Sequence, residues 1–198
     1  FPSGHSCLAR FSSDGSLDPT FGDAGWLTPD FGGTPGGVGA LALQTDGKLV
    51  AAGSIGAAAD FDFVLVRYYS DGSLDNTFGS NGVVSTDFGG GDGVDSLALQ
   101  TDGKIIAAGS SHLGSWKFAL ARYNVDGSLD GTFGKVTTVF GGGIFEFDNF
   151  YLTGGVAVQP DGRIVVSGYG SSSIIAEAYV VAMARYLPDG QLDPTFGT

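Results

Sequence analysis

The chain has 198 residues, of which 42% are hydrophobic, 12% are aromatic and only 15% are charged, and it contains 35 Gly. The hydrophobic content excludes a disordered polymer, and the abundance of Gly is typical of short strands joined by tight turns. The net charge of −12 argues against nucleic acid and anionic membrane surfaces as partners.

In chain order, the first recognisable element is a stretch that returns three more times. CLARFSSDGSLDPTFG is followed by FVLVRYYSDGSLDNTFG, FALARYNVDGSLDGTFG and VAMARYLPDGQLDPTFG, in which the Arg residues are Arg10, Arg67, Arg122 and Arg185. A second motif repeats in step, as LALQTDGKLVAAG, LALQTDGKIIAAG and VAVQPDGRIVVSG. Repeats of this kind share one core with their neighbours. We therefore treat 1–198 as a single repeat domain, with repeats at approximately 8–64, 65–119 and 120–182 and a partial fourth copy at 183–198.

Each period contains four predicted strands, which we name A to D. The Asp-Gly pair between the apolar halves of the second motif predicts an A–B hairpin. Strand C is the apolar stretch that ends at the repeat Arg, and the SLDxTFG that follows predicts a single turn capped by Asp. Strand D is then GVVSTDFG from Gly82, with counterparts at Gly25 and Lys135. A second register, in which SLDxTFG is itself the fourth strand, stays open.

Thirteen strands result, in the order C and D, then A to D twice, then A to C. Four antiparallel strands per period with apolar residues on both faces predict an all-β fold of β-propeller-like blades. About three blades plus one strand are present, which indicates a partial propeller or half of an assembled ring. A β-solenoid is the alternative, although its coils are usually much shorter.

The repeat also resembles a known family. RYxxDGSLDxTFGxxGVVxTDFGG followed by ALALQxDGKIxAAG is similar to the delta-sixty repeat, which occurs as tandem arrays in secreted or surface bacterial proteins. The resemblance extends over nearly the whole chain from about Leu8 and departs from the pattern at Gln191 and in the insert at 144–153. It implies a propeller fold and an extracellular or cell-surface location, and it lends no activity.

Two residue types of the repeat are expected to be structural. Arg67 and Arg122 share a strand face with apolar residues, so we expect them to be buried and paired with Asp71 or Asp75 and with Asp126 or Asp130, respectively. Phe78 and Phe133 stand in an otherwise polar loop, where only burial between blades explains a large apolar side chain.

Candidate ligand sites are few. The oxygen side chains of DGSLD begin like a calcium loop, which makes Asp71, Ser73, Asp75, Asp126, Ser128 and Asp130 calcium candidates. The Gly and Glu that complete an EF-hand are missing, so we predict no metal and no other cofactor. No catalytic motif occurs, and no catalytic residue is assigned. Aromatic and acidic residues in segments that break the repeat suit sugar or peptide binding, namely Glu146, Phe147, Asp148, Tyr151, Glu177 and Trp116.

These observations favour a non-enzymatic repeat module of a secreted or surface protein, with a scaffold or protein-interaction role. A carbohydrate-binding propeller and a hydrolase with an acidic pair in the channel are the alternatives. The expected partner is a protein or a glycan, either a second copy in a homodimer or further repeats of a longer array. Nucleic acid and membrane insertion are not expected.

Overall fold

The computed structural model describes residues 6–31, 34–57, 60–139, 149–172 and 178–197, with the backbone alone for 149–154, 171–172 and 178–180. Every strand pairing in these residues is antiparallel, and none of them forms a helix. No described segment is therefore a helix that could span a membrane. The prediction of an all-β fold is confirmed.

Thirteen strands form four sheets, which we call blades I to IV. Blade I contains β1 (Leu8–Ala9) and β2 (Trp26–Leu27), and blade II contains β3 (Gly36–Leu43), β4 (Leu49–Ala57), β5 (Asp60–Tyr68) and β6 (Val83–Thr86). Blade III contains β7 (Gly91–Leu99), β8 (Ile105–Leu113), β9 (Ser115–Tyr123) and β10 (Lys135–Thr138). Blade IV contains β11 (Asn149–Val158), β12 (Ile164–Ser172) and β13 (Ala178–Tyr186). The order of strands A to D is the predicted one.

The A–B hairpins owe their sharp turns to the Asp-Gly pair. In blade III, Gly103 has a φ of 85°, which an L side chain rarely adopts, and the Gln100 amide donates to the Lys104 carbonyl at 2.9 Å. The Asp102 carboxylate accepts from the Lys104 amide at 3.2 Å. Hydrogen bonds within the turn therefore stabilise each hairpin, independently of the neighbouring blades.

The SLDxTFG segment forms a bridge and then a turn. Leu74 pairs with Tyr68 in an isolated bridge, after which the Asp75 carboxylate accepts from the Thr77 amide at 3.1 Å. The Phe78 amide donates to the Asp75 carbonyl at 3.1 Å, which closes one turn. Strand D is β6, which pairs with β5, so the register with SLDxTFG as the fourth strand is wrong.

Apolar side chains fill the spaces between successive blades. Phe63, Leu65 and Phe78 of blade II lie in one buried cluster with Tyr123 of blade III. The cluster between blades III and IV contains Phe118, Leu120, Phe133 and Tyr186, and the one between blades I and II contains Leu8, Phe21, Val66 and Tyr68. The A strand β7 contacts both β3 and β11, the A strands of the neighbouring blades. Blade III is thus covered on both faces, and blade II is covered on the face that meets blade III.

Candidate functional site

The repeat Arg is the centre of a cluster that we call the Arg clasp, defined in blade II by Arg67, Asp75, Phe78 and the Val125 carbonyl. Arg67 Nε donates to Asp75 Oδ2 at 2.8 Å, and the two side chains are 4% and 0% exposed. The guanidinium lies 4.5 Å from the centroid of the Phe78 ring. Its Nη1 donates to the Val125 carbonyl of blade III at 2.5 Å. The clasp therefore joins the two blades.

Blade III repeats the clasp with the same atoms. Arg122 Nε donates to Asp130 Oδ2 at 2.7 Å and Nη1 donates to the Pro188 carbonyl at 2.6 Å, while the ring of Phe133 lies 4.9 Å from the guanidinium. Phe78 and Phe133 are buried, as the sequence indicated. Of the two carboxylates predicted as partners for each Arg, the structure selects the second, because that Asp lies opposite the Arg across the short bridge.

A second cation reaches the same carboxylate from the A–B hairpin. Lys104 Nζ lies 2.8 Å from Asp130 Oδ2, and Lys48 Nζ lies 3.6 Å from Asp75 Oδ2. Hydrogen bonds from Lys104 and from the Thr132 amide hold the pKa of Asp130 well below its usual range, although burial opposes them. Burial would by itself raise the pKa of Asp75, but hydrogen bonds from the Thr77 hydroxyl and amide and the charge of Arg67 outweigh it and lower the pKa. Both carboxylates are therefore fixed as anions.

The clasps at the two ends of the chain are less enclosed. The Arg10 side chain is 36% exposed, although it still pairs with Asp18 at 2.9 Å and donates to the Ser70 carbonyl of blade II. Arg185 pairs with Asp193 at 2.8 Å, but in the described part of the chain no carbonyl accepts from its Nη1. The first three clasps thus reach the following repeat, whereas Arg185 Nη1 has no carbonyl acceptor among the described residues.

The calcium candidates are engaged within their own loops. Asp71 Oδ1 accepts from the amide and the hydroxyl of Ser73 at 2.9 and 2.7 Å, and Asp126 binds Ser128 in the same way. Asp75 and Asp130 bind Arg instead. None of these carboxylates meets two others in the described residues. The loop geometry therefore supports turn formation.

Most of the predicted ligand-binding residues lie outside the described residues. This applies to Glu146, Phe147, Asp148 and Glu177, and for Tyr151 only the backbone in β11 is described. Trp116 is half-buried in β9, where it packs against the core between blades III and IV and lies 4.8 Å from the His112 ring. That contact makes Trp116 part of the blade packing.

One acid of the A strands has an unusual environment. Asp95 lies in the bulge of β7, beside residues that contact both neighbouring A strands: the Val94 carbonyl faces Gly39, and Ser96 Oγ accepts from the Val156 amide at 3.1 Å. Although its side chain keeps contact with solvent, partial burial raises the pKa of Asp95 to about 6. No second carboxylate among the described residues contributes to that rise.

Sequence reasoning missed a cluster of three carboxylates. Asp62 lies in β5, Asp87 follows β6 and Asp92 lies in β7, and one ligand oxygen from each lies within 4.8 Å of the others. Asp92 is buried and accepts from the Phe88 amide at 2.6 Å. The three residues have no spacing signature, because they belong to different strands. Only the packing of blade II against blade III brings them together.

The terminal blade faces differ sharply from the interior ones. Val181 and Met183 of β13 are 73% and 53% exposed, whereas the residues at the same repeat positions, Phe63 and Leu65 in blade II and Phe118 and Leu120 in blade III, are fully buried. At the other end, Leu41 and Leu43 of β3 are 54% and 71% exposed, whereas their counterparts Leu97 and Leu99 pack into the core. Two apolar faces are therefore bare in the isolated chain.

Comparison with known proteins identifies the repeat and no activity. The model of a family described as "Domain of unknown function (DUF5122) beta-propeller" matches residues 2–21, 44–78, 100–133 and 159–196. No curated protein matches the chain. Among solved structures, an exo-1,5-alpha-L-arabinanase from a bovine ruminal metagenomic library is similar at 14% identity with a TM-score of 0.40, over 90% of this chain and 66% of that enzyme's length. A TM-score this low supports no conclusion about activity.

Proposed function

Because the chain belongs to the family of β-propeller domains of unknown function (DUF5122), we propose that it is a non-enzymatic scaffold module that works by joining blade to blade, with a second copy of the same chain as its partner. The observation that carries this proposal is the exposure of Val181 and Met183 at positions that are buried in both interior blades. In the interior blades, these two positions contact the blade that follows.

The two bare faces are complementary in kind. In the interior, Phe63 and Leu65 of one blade lie in a single cluster with Leu97 and Leu99 of the next. Val181 and Met183 correspond to the first pair, and Leu41 and Leu43 correspond to the second. We call the face with Val181 and Met183 the C-terminal face and the face with Leu41 and Leu43 the N-terminal face. The C-terminal face of one copy therefore fits the N-terminal face of another. Two copies that pair in this way at both faces form a closed two-fold assembly.

The N-terminal face also offers a place to receive the partner. Leu41 and Leu43 line a groove of about 250 Å³ between blades I and II, together with Leu8, Phe21 and Tyr69. Full burial of an aliphatic side chain stabilises by about 1.5–3 kcal/mol. Burial of the four exposed side chains at the two faces therefore contributes to association, and a second copy supplies both faces at once.

The Arg clasps also support association, through hydrogen bonds between successive blades. Arg10, Arg67 and Arg122 each donate Nη1 to a loop carbonyl of the following blade, at Ser70, Val125 and Pro188. The equivalent nitrogen of Arg185 has no such acceptor in the described chain. A backbone carbonyl of a second copy can therefore accept from Arg185 Nη1. We also propose that the module works outside the cell or on its surface, which rests on the repeat resemblance.

The test changes one face at a time. Val181→Asp with Met183→Asp places charge on the C-terminal face, Leu41→Asp with Leu43→Asp does so on the N-terminal face, and Leu113→Asp is the control, since Leu113 is 61% exposed in the β8–β9 hairpin, away from both. Light scattering after gel filtration is expected to give a concentration-dependent approach to twice 20.1 kDa for the wild type and for Leu113→Asp. Each double variant by itself is expected to stay at 20.1 kDa.

Mixing the two double variants checks that unlike faces meet. Each retains one intact face, so a one-to-one mixture is expected to associate through a single interface, more weakly than the wild type. A wild type that stays monomeric at all concentrations contradicts the proposal. A mixture that shows no association contradicts the pairing of the C-terminal face with the N-terminal face. Circular dichroism confirms that the variants are folded.

A further inference from the structure

The carboxylates of Asp62, Asp87 and Asp92 meet where blade II joins blade III. Asp62 belongs to blade II, Asp92 belongs to the first strand of blade III, and Asp87 lies in the segment that connects them. One oxygen from each carboxylate lies within 4.8 Å of the other two. Asp87 is exposed and Asp62 is half-buried, which leaves a path from solvent to the cluster.

Asp92 supplies an independent indication of a missing ligand. Its side chain is 3% exposed, and while Oδ2 accepts from the Phe88 amide at 2.6 Å, Oδ1 is buried with no hydrogen-bond partner. The Ser111 hydroxyl on the paired strand β8 lowers the pKa of Asp92, but it forms no hydrogen bond with Oδ1. An unpaired buried carboxylate oxygen costs free energy that a bound cation would recover.

The charges around the cluster do not cancel. Burial raises the pKa of Asp92, and the charges of Asp87 and Asp62 add to that rise. Burial likewise raises the pKa of Asp62, with Asp87 and Asp60 adding to it, whereas Lys135 of blade III lowers it. Lys135 donates to the Asp87 carbonyl and lies 5.6 Å from the Phe88 ring centroid. One Lys against three carboxylates leaves a net negative site.

The cluster occurs in one repeat only. At the position of Asp62, the next repeat has Lys117, and at the position of Asp87 it has Val139. In the preceding repeat, Asp30 stands at the position of Asp87, but Gly36 stands at the position of Asp92. A feature needed merely to shape the blade would recur, as the Arg clasp does. The three acids have been assembled at a single blade junction, which is typical of a ligand site placed on a repeat scaffold.

The geometry suits a large divalent cation. Calcium accepts six to eight oxygen ligands in flexible geometry, which suits carboxylates that come from separate elements, whereas magnesium demands near-ideal octahedral geometry. We propose that Asp62, Asp87 and Asp92 bind one divalent cation, calcium in preference to magnesium, and that the ion ties blade II to blade III. Water and backbone carbonyls complete the shell.

The test uses the full chain freed of metal with a chelator. Calorimetric titration with calcium chloride and thermal unfolding are measured for the wild type, Asp92→Asn, Asp87→Asn and the control Asp102→Asn, which removes an exposed carboxylate from a hairpin turn. Asp87→Asn matters because an exposed position tolerates substitution even where Asp92→Asn disturbs folding. We expect calcium to raise the midpoint of thermal unfolding of the wild type and of Asp102→Asn.

Both cluster variants are expected to bind calcium at least tenfold more weakly and to lose the rise in midpoint. Magnesium at the same concentration is expected to give a smaller rise in the wild type. No calcium-dependent rise in the wild type overturns the site. Equal rises in the wild type and in both cluster variants also overturn it, since they indicate general screening of the acidic surface. An equal effect of magnesium overturns the preference.

Discussion

At the scale of single residues, the repeat is organised by the Arg clasp. The Arg pairs with the Asp eight positions later, in both interior blades, and lies over the Phe of TFG. Desolvating a guanidinium is costly unless it has hydrogen-bonding partners, and the Asp, a Thr hydroxyl and the neighbouring carbonyl supply them for Arg122. The Arg residues at this repeat position thus have a structural role in an otherwise acidic chain.

Arg122→Ala is expected to lower the free energy of unfolding strongly. It leaves Asp130 buried with Lys104 as its remaining cation and removes the bond to Pro188. Breaking a buried pair typically costs about 3–5 kcal/mol. The matched control is Arg10→Ala, whose side chain is 36% exposed and whose pair with Asp18 is expected to contribute about 1 kcal/mol or less. Urea unfolding measures both values, and equal losses would show that burial does not set the strength of the clasp.

Acid is expected to weaken the clasp. The pKa of Asp130 is lowered by folding, so its contribution to stability is complete above the ordinary Asp pKa of about 4 and is lost as the pH falls below it. Asp130→Asn lacks this contribution at every pH. The difference in unfolding free energy between the wild type and Asp130→Asn should therefore be largest above about pH 5 and shrink toward pH 2. Urea melts across this range test the expectation, and a constant difference would contradict it.

At the scale of elements, strands A and B of each blade approach more closely than ordinary side chains allow. The pairing of β7 with β8 shifts register between Val94 and Ser96, and at that bulge Gly109 faces the backbone of Gly93. A Cβ on Gly109 would lie 1.8 Å from the Gly93 carbonyl oxygen, and Gly53 in blade II is placed in the same way at 1.9 Å from the Gly37 oxygen. The Gly that ends the AAG motif is therefore required by the bulge.

Gly109→Ala is expected to destabilise blade III, because the atoms in contact are backbone and cannot rotate away. Overpacking of this kind costs about 1–3 kcal/mol. Gly131→Ala is the matched control, since a Cβ there meets nothing within 4 Å. Thermal unfolding of the two variants should show a clear loss for the first and little change for the second. A neutral Gly109→Ala would mean that the bulge relaxes without cost.

At the scale of the whole molecule, blade III is covered on both faces, whereas blade IV at β13 and blade II at β3 each leave apolar side chains exposed. The interior faces are closed by Phe63, Leu65, Phe118 and Leu120, whereas Val181 and Met183 lie open. Exposed apolar surface of this kind marks an interaction site on a soluble protein. The scaffold role that we propose follows from this contrast between equivalent positions.

If a second copy covers these faces, stability must depend on protein concentration. Association of folded copies draws the folding equilibrium toward the native state by mass action. The midpoint of thermal unfolding of the wild type is therefore expected to rise with concentration over a hundredfold range, and the midpoint of Val181→Asp with Met183→Asp is expected to stay constant. A constant midpoint in the wild type, together with a monomer mass, would contradict assembly.

The sequence by itself determined the blade plan and the partners along the chain. Asp-Gly turns and the alternation of apolar residues set the hairpins, so the thirteen strands and their order could be predicted. The carboxylate partner of Arg67 could also be narrowed to two residues, Asp71 and Asp75. A tight turn brings the chain back beside strand C within a few positions, so only nearby carboxylates can reach the Arg. These features depend on hydrogen bonds between residues near in sequence.

Only the tertiary structure decided what lies across blade junctions. The bond from Arg67 to the Val125 carbonyl spans 58 positions, and Asp62, Asp87 and Asp92 meet without any motif. Lys104 could not be assigned to Asp130, since its distance from that carboxylate depends on how the hairpin lies against strand C. The exposure of Val181 is likewise a property of the packed array, because its repeat position is buried elsewhere. These distances are set by the packing of apolar faces, which is non-directional. The local sequence pattern that specifies each strand therefore does not predict them.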